Sequence, residues 1–422
     1  AVSLGLSSII VIIFFSNDSM SSVALQLFTA SLNYTLLAIP FFILASSFMT
    51  TGGVARRIIR FSIACVGHLP GGLAIAGVFA CMLFAALSGS SPATVVAIGS
   101  IVIAGMRQVG YTKEFAAGVI CNAGTLGILI PPSIMLVFMG AILQVSVGDM
   151  FKAAFLPGLL LGAVYILYIV GVGVLTPHRA PVPNRAEIAK LADNGAPLWI
   201  EVIQNLLGPL FLIVAVLGSI MVGLATPTEA AGIGAAGAMM LALMTRKLNF
   251  SVLREVVRDT SKTTAMVIFV MIGAACFSAV FKRLGGDDMI EELFIGTGFG
   301  PYGLLILMMG LIFVMGFFLE WIEISFIVMP LFAPIVATLD FGFEATGLEL
   351  LVWFAILSAV NMQTSFITPP FGYALFYLRG VAPEGVDIKL IYQSSIPFVI
   401  LQLICLTILV VFPDIVLWLT RL

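Results

Sequence analysis

The sequence predicts an all-α, polytopic membrane protein built from two inverted repeats, each holding a re-entrant helical hairpin and a helix broken by a Pro-Pro pair. Three observations carry that reading. Hydrophobic residues make up 61% of the 422 and charged residues 9%, where a soluble domain carries about 25% charged residues. The apolar runs last about 20 residues, the length a helix needs to cross a bilayer, and lack the short alternating segments of a membrane barrel. Two of these segments contain adjacent prolines, Pro131-Pro132 and Pro369-Pro370. Each proline removes an amide donor, which predicts free carbonyls at Gly127 and Ile128 in the first segment and at Ser365 and Phe366 in the second. Lipid offers such groups no water, so the breaks belong where loose backbone is buried in protein or lines a polar cavity.

Residues 1–32 give a short span (3–15), a polar turn and an amphipathic stretch, with no basic n-region that would mark a signal peptide. The first repeat, 33–176, opens on a span (33–51) and a basic surface helix carrying Arg56, Arg57 and Arg60. The turn Leu87-Ser-Gly-Ser-Ser-Pro-Ala-Thr94 then leads into a helix too short to cross, which predicts a re-entrant hairpin over 70–106. The broken helix (113–143) and a plain span (153–175) complete the repeat. Residues 177–262 hold a polar linker (His178 to Glu201), two spans (202–223 and 228–245) and an amphipathic helix from Ser251 to Lys262 that should lie along the membrane surface. The second repeat, 263–419, follows the same order: a span, an acidic surface helix, a hairpin over 302–338 turning at Gly316 to Glu323, a broken helix (350–380) and a last span (391–419).

Each repeat has three crossings and one hairpin, and two spans lie between them, so the second begins on the side where the first ended. The repeats are therefore inverted. This topology gathers 15 of the 19 Lys and Arg on one face, which the positive-inside rule makes cytoplasmic. Arg56 and Arg57 fall inside, and Asp287, Asp288, Glu291 and Glu292 outside. Two broken helices in corresponding places point to the midplane binding site of a secondary transporter.

Other functions find little support. The five cysteines are single and scattered, as packing residues are, and His68 and His178 are far apart with no partners at ligand spacing. No GxxxxGK[ST] loop occurs, and no cluster of acids, histidines or a Ser/His pair shares one depth, so an intramembrane enzyme is disfavoured. No nucleic-acid partner is expected. The four tryptophans read as interface anchors or packing residues.

The runs Ser88-Gly-Ser-Ser-Pro-Ala-Thr94, Gly124-Thr125 with Ile130-Pro-Pro-Ser133, and Thr368-Pro-Pro-Phe-Gly372 resemble the large membrane subunit (M, or DctM-like) of tripartite ATP-independent periplasmic (TRAP) transporters. The resemblance covers essentially the whole chain. It implies sodium-coupled uptake of an organic anion, usually a carboxylate, across the bacterial inner membrane by an elevator movement. It also implies two partners, a small four-helix membrane subunit (Q) and a periplasmic substrate-binding protein (P). A stand-alone sodium/dicarboxylate symporter of similar architecture is the alternative. The chain departs from the common family pattern at Glu320-Trp321, where Asp-Pro is usual, in the acidic loop Asp340 to Glu349, and at Met362 to Ser365.

Two or more sodium ions need several oxygens, which the breaks can supply. The first site is expected from the hairpin tip (Ser88, Ser90, Ser91) closing over Gly124, Thr125 and Gly127. The second is expected from Glu320 and Glu323 near Gln363, Thr364, Ser365 and Thr368. Ser90, Ser91, Ser133, Gln363, Thr364 and Phe371 are the expected substrate contacts. There the half-helices beginning at Pro132-Ser133 and Pro370-Phe371 aim amides and a positive dipole end at an anion. The plainer reading of these hydroxyls is that they bond carbonyls of their own helix. For the two glutamates it is a hydrated acid at a wet hairpin tip. Residues 70–176 and 302–419 would move as one unit against a scaffold of 33–51, 202–245 and 263–284.

Overall fold

The computed structural model describes residues 2–15, 34–51, 54–184, 207–244, 248–369, 372–382 and 386–422, with a few single residues between them. Among these the secondary structure is helical throughout. Five helices are long and apolar enough to cross a membrane. Most of the expected linker, together with Pro370 and Phe371, lies outside the described residues.

Helix α1 (Val2–Phe15) is followed by α2 (Ala38–Thr51) and the basic α3 (Val54–Val66). The first hairpin is α4 (Gly72–Ser88) and α5 (Ser91–Gln108), and the first broken helix is α6 (Lys113–Gly124) and α7 (Ile134–Leu143). The span α8 (Val147–Leu175) ends the first half. Three helices follow, α9 (Leu207–Met221), α10 (Pro227–Met244) and α11 (Phe250–Arg283), then the acidic α12 (Gly286–Gly296). The second hairpin comprises α13 (Pro301–Met315), α14 (Trp321–Ile327) and α15 (Met329–Thr338). The second broken helix is α16 (Gly347–Phe366) and α17 (Tyr373–Val381), and α18 (Ile388–Val411) and α19 (Asp414–Leu417) close the chain.

Packing divides these helices into two groups. Helix α2 packs on α10 and α11, and α1 packs on α11. The first hairpin, the broken helices, α8 and α18 pack mainly on each other, whereas α14 of the second hairpin packs most on α11 and joins the two groups. Each broken helix reaches the other half: α7 contacts α14 of the second hairpin, and α17 contacts α5 of the first. Aromatic edges fix the first of these contacts, with Phe138 4.6 Å from Phe326 and 5.5 Å from Trp321. Trp353 is fully buried and donates to the Leu409 carbonyl at 3.1 Å, so it packs α16 on α18, whereas Trp418 is exposed as an interface anchor would be.

The structure revises three expectations. The amphipathic stretch 251–262 is not a separate surface helix, because it continues into the following span as the single 34-residue α11. Nothing between Ser251 and Arg283 is glycine-proline punctuation strong enough to end a helix; Asn249 caps it by accepting from the Val252 amide at 2.8 Å. At about 51 Å, α11 exceeds a hydrocarbon core of about 30 Å, so its charged end projects beyond the apolar layer. The second limb of the second hairpin is bent by 53° between α14 and α15, next to Pro330. The last span ends at Val411 rather than 419, where Pro413 follows.

The acidic loop before α16 is tied to the end of the chain. Arg421 meets Glu349 at 2.8 Å and Asp414 at 3.2 Å, and donates to the Glu344 carbonyl at 2.5 Å. Thr346 and Glu349 form a capping box at the start of α16. These groups are partly exposed, so each ion pair is worth under about 1 kcal/mol. Arg421→Gln should lower the melting temperature by only about 1–2 °C. The difference should shrink in high salt, and a loss unaffected by salt would count against an ion-pair role.

Candidate functional site

The first hairpin turns at Ser88-Gly89-Ser90, where Gly89 takes φ 57°, a left-handed conformation that suits glycine. The tip holds its own shape. The Ser88 and Thr94 hydroxyls lie 3.0 Å apart, and Thr94 donates to the Ser90 carbonyl at 2.9 Å. It rests directly on the first break. A Cβ added at Gly127 would stand 3.2 Å from the Ser90 carbonyl and from Thr94 Oγ1, one at Gly89 would meet the Pro132 carbonyl oxygen at 2.8 Å, and one at Gly124 would overlap Val95.

At that break α6 tightens into a 3₁₀ turn, Thr125–Ile128, and the Leu129 amide bonds the Leu126 carbonyl at 3.1 Å instead of the Thr125 carbonyl. The Thr125 carbonyl is therefore available, and Ser91 Oγ donates to it at 3.2 Å. The Ile128 carbonyl, expected to be free, accepts the Ser133 hydroxyl at 2.5 Å. Ser133 also caps α7 by accepting from the Leu136 amide at 3.4 Å. Its hydroxyl thus bridges the break and has no hydrogen left for a ligand.

The second hairpin meets the second break in a similar way. A Cβ at Gly316 would overlap the Ser365 hydroxyl. The Ser365 carbonyl, expected to lose its partner to Pro369, is recaptured by the Thr368 amide at 3.1 Å as the helix end tightens. Thr364, Ser365 and Thr368 donate to the carbonyls of Val360, Met362 and Thr364 at 2.8, 2.7 and 2.7 Å, the own-helix pattern of the plainer reading. Glu320 is the N-cap residue of α14, and the titratable groups within electrostatic reach of it are Glu323, Tyr373 and Tyr377. Glu323 Oε2 and the Tyr373 hydroxyl are buried without a hydrogen-bond partner among the described residues. Tyr373 spans this break, its ring 4.6 Å from Phe366.

The two breaks touch. Gln363 Nε2 donates to Thr125 Oγ1 at 2.9 Å, and Thr125 in turn donates to the Asn122 carbonyl at 2.7 Å. Because Thr125 gives its hydrogen to Asn122, the amide nitrogen of Gln363 must be the atom that faces it. Thr125 and Gln363 each precede the first proline of their own pair by six residues, so the contact joins corresponding positions of the two halves. Both side chains are fully buried, and Gln363 Oε1 has no hydrogen-bond partner among the described residues. The lone pairs left at the Gln363–Thr125 contact belong to hydroxyl, carbonyl and amide oxygens, and the carboxylates Glu320 and Glu323 belong to the second hairpin tip. Among the described residues no three His, Cys, Asp or Glu side chains converge. Neutral oxygens of this kind suit a hard cation of low charge.

The family description "Tripartite ATP-independent periplasmic transporter, DctM component" matches residues 1–415. The chain belongs to this family. It is 42% identical to the C4-dicarboxylate TRAP transporter large permease protein DctM of Pseudomonas aeruginosa, covering 97% of this chain and 92% of that one. It is 43% identical to the protein of the same name from Vibrio cholerae, covering 100% and 94%. The isethionate TRAP transporter permease protein DctMQ of Oleidesulfovibrio alaskensis is 33% identical over 98% of this chain and 62% of its own length. Among solved structures, the Alcanivorax borkumensis YdaH transporter superposes with a TM-score of 0.59 at 12% identity, covering 100% of this chain and 96% of that one; at that identity the likeness is one of fold. The DctM component and these relatives are named as transporter permease subunits, so this chain is a transport subunit and not an enzyme.

Several residues around the breaks of this TRAP subunit carry no role in the sequence reading. Thr94 anchors the hairpin tip, and its place in the Ser88–Thr94 run was a usable signal. Asn361 donates to the Met309 carbonyl at 2.7 Å and so fastens the second hairpin to α16. Asn122 donates to the Gly118 carbonyl at 2.6 Å and to Ser395 at 3.3 Å, linking the first broken helix to α18. Buried amides in apolar helices flag such bridges in sequence, but their partners, 52 and 273 residues away, do not.

Proposed function

We propose that this subunit carries out sodium-coupled uptake of an organic anion, a C4-dicarboxylate, across the bacterial inner membrane. The observation that carries the reading is the Gln363–Thr125 contact beneath two hairpin tips, each set on a Pro-Pro break. One buried locus thereby collects loose carbonyls, hydroxyls that have spent their hydrogens, and the start of a half-helix at α7. Sodium ions bind the oxygens, and the anion is held by amides, hydroxyls and the ions themselves. Relatives at 42% and 43% identity named for C4-dicarboxylates support the choice of substrate.

Inverted repeats and an elevator movement fit the recurring order of hairpin, broken helix and span, and the division of packing into two groups. The hairpins, broken helices, α8 and α18 carry the site past α2, α10 and α11. A small membrane subunit and a periplasmic binding protein complete the system, and the DctMQ name of the isethionate relative supports the first of these. The basic face is cytoplasmic.

The test is uptake of radiolabelled succinate into proteoliposomes containing this chain and its small partner, with and without the binding protein, under an imposed sodium gradient. Uptake should require both the gradient and the soluble protein. Full-rate uptake without a sodium gradient would overturn the coupling. Full-rate uptake without the soluble protein would establish the stand-alone symporter instead.

A further inference from the structure

A cavity with charged groups on its rim lies at the junction where α6 begins, α8 has just ended and α18 begins. Its volume is about 240 Å³, and its walls include Glu114, Phe115, Tyr168, His178, Arg179 and Gln393. Three features set its chemistry. Arg179 has no ion-pair partner among the described residues, and its guanidinium lies within electrostatic reach of Tyr168. The 12-residue α6 starts at Thr112 with no side-chain cap, so its first amides remain available for an anion beside Arg179. On the same rim the Glu114 carboxylate is exposed, above an aromatic wall in which Phe115, Tyr168 and Phe398 are in series at centroid distances of 6.4 and 5.2 Å.

A simple anion would be repelled by Glu114, and a simple cation by Arg179 and the helix start. A ligand carrying both charges a few ångströms apart satisfies all of them. The two spans that flank the cavity also carry exposed aliphatic residues, Leu167, Val174 and Leu175 on α8 and Ile396 and Ile400 on α18, a surface suited to acyl chains. We propose that this cavity seats the headgroup of a zwitterionic aminophospholipid. The phosphate lies on Arg179, His178 and the first amides of α6, and the primary ammonium lies on Glu114 and the aromatic wall. The acyl chains run along the aliphatic sides of α8 and α18. The site is separate from the Pro-Pro breaks and does not depend on the transported substrate.

The experiment uses the full chain in detergent, with native mass spectrometry to count bound lipid and thermal unfolding to measure its effect. Phosphatidylethanolamine, phosphatidylglycerol, phosphatidylcholine and inorganic phosphate are added separately. Phosphatidylethanolamine should be retained in preference to the others and raise the melting temperature by a few degrees. Arg179→Gln and Glu114→Gln should each weaken that retention about tenfold, the loss of one charge-assisted contact. Arg379→Gln, an exposed basic residue on α17, should leave it unchanged. Equal retention of phosphatidylglycerol would overturn the zwitterion assignment in favour of an anion site. An effect from inorganic phosphate alone would remove the lipid, and retention surviving in both Arg179→Gln and Glu114→Gln would remove the cavity.

Discussion

Gln363→Ala is expected to lower the proposed sodium-driven uptake at least about tenfold while folded protein in the membrane stays near its normal level. Gln363 and Thr125 are fully buried and joined by one hydrogen bond of 2.9 Å. Truncating the amide leaves the Thr125 oxygen without its donor and opens a void where the two breaks meet. The Thr125 hydroxyl keeps its bond to the Asn122 carbonyl, so the cost is the lost contact and the void together, about 1–3 kcal/mol, a factor of roughly 5 to 150 in the population of the joined arrangement. Neither residue lies on the scaffold helices α2, α10 and α11, so the loss should fall on transport rather than on membrane insertion. Thr125→Ala should cost a comparable amount, and the double variant little more than either single one, since partners in one contact are not additive. Independent, additive losses would show that the two breaks do not act through this bond.

That contact also marks how far the sequence could be read. The breaks were legible because adjacent prolines in an apolar run have only one physical consequence, the loss of amide donors. The first hairpin was legible from Ser88 to Thr94, where small polar residues interrupt a segment too short to cross. Other features depended on choices that local pattern leaves open. Residues 251–262 have the same amphipathic face whether the helix stops at Lys262 or runs on, and only the neighbours α1, α2 and α14 decide that it runs on. The freed carbonyls were counted from an ideal α-helix. The chain instead tightens at both breaks, so the Thr125 carbonyl becomes available, Ser133 takes the Ile128 carbonyl and the Thr368 amide takes that of Ser365. The expected oxygen atoms were thus near the right place but not always the right ones. The Gln363–Thr125 bond spans 238 residues and could be found only in three dimensions, although the matching six-residue offsets from the prolines were visible.

Gly316→Ala is expected to reduce uptake by tenfold or more through steric contact alone. Gly316 sits at φ −65° and ψ −10°, a conformation open to any residue, so the backbone itself does not require glycine there. By helix propensity the change would even be favourable, by up to about 1 kcal/mol. What forbids the methyl group is Ser365, whose hydroxyl occupies the space a Cβ would fill. Ser365 is fully buried in α16 and cannot swing aside, so the hairpin tip has to lift from the second break or the helix has to shift. Overpacking of this kind costs about 1–3 kcal/mol, and in the proposed cycle it acts on the closure that isolates the bound ions and anion. Gly310→Ala, one helical stretch earlier in α13, places its methyl where no atom lies within 4 Å and should transport normally. Ser365→Gly removes the obstructing atoms, so combining it with Gly316→Ala should restore the melting temperature even where ion binding suffers. Uptake in Gly316→Ala equal to that of Gly310→Ala would mean that the tip need not approach Ser365 at any point in transport, and the closed contact would lose its functional meaning.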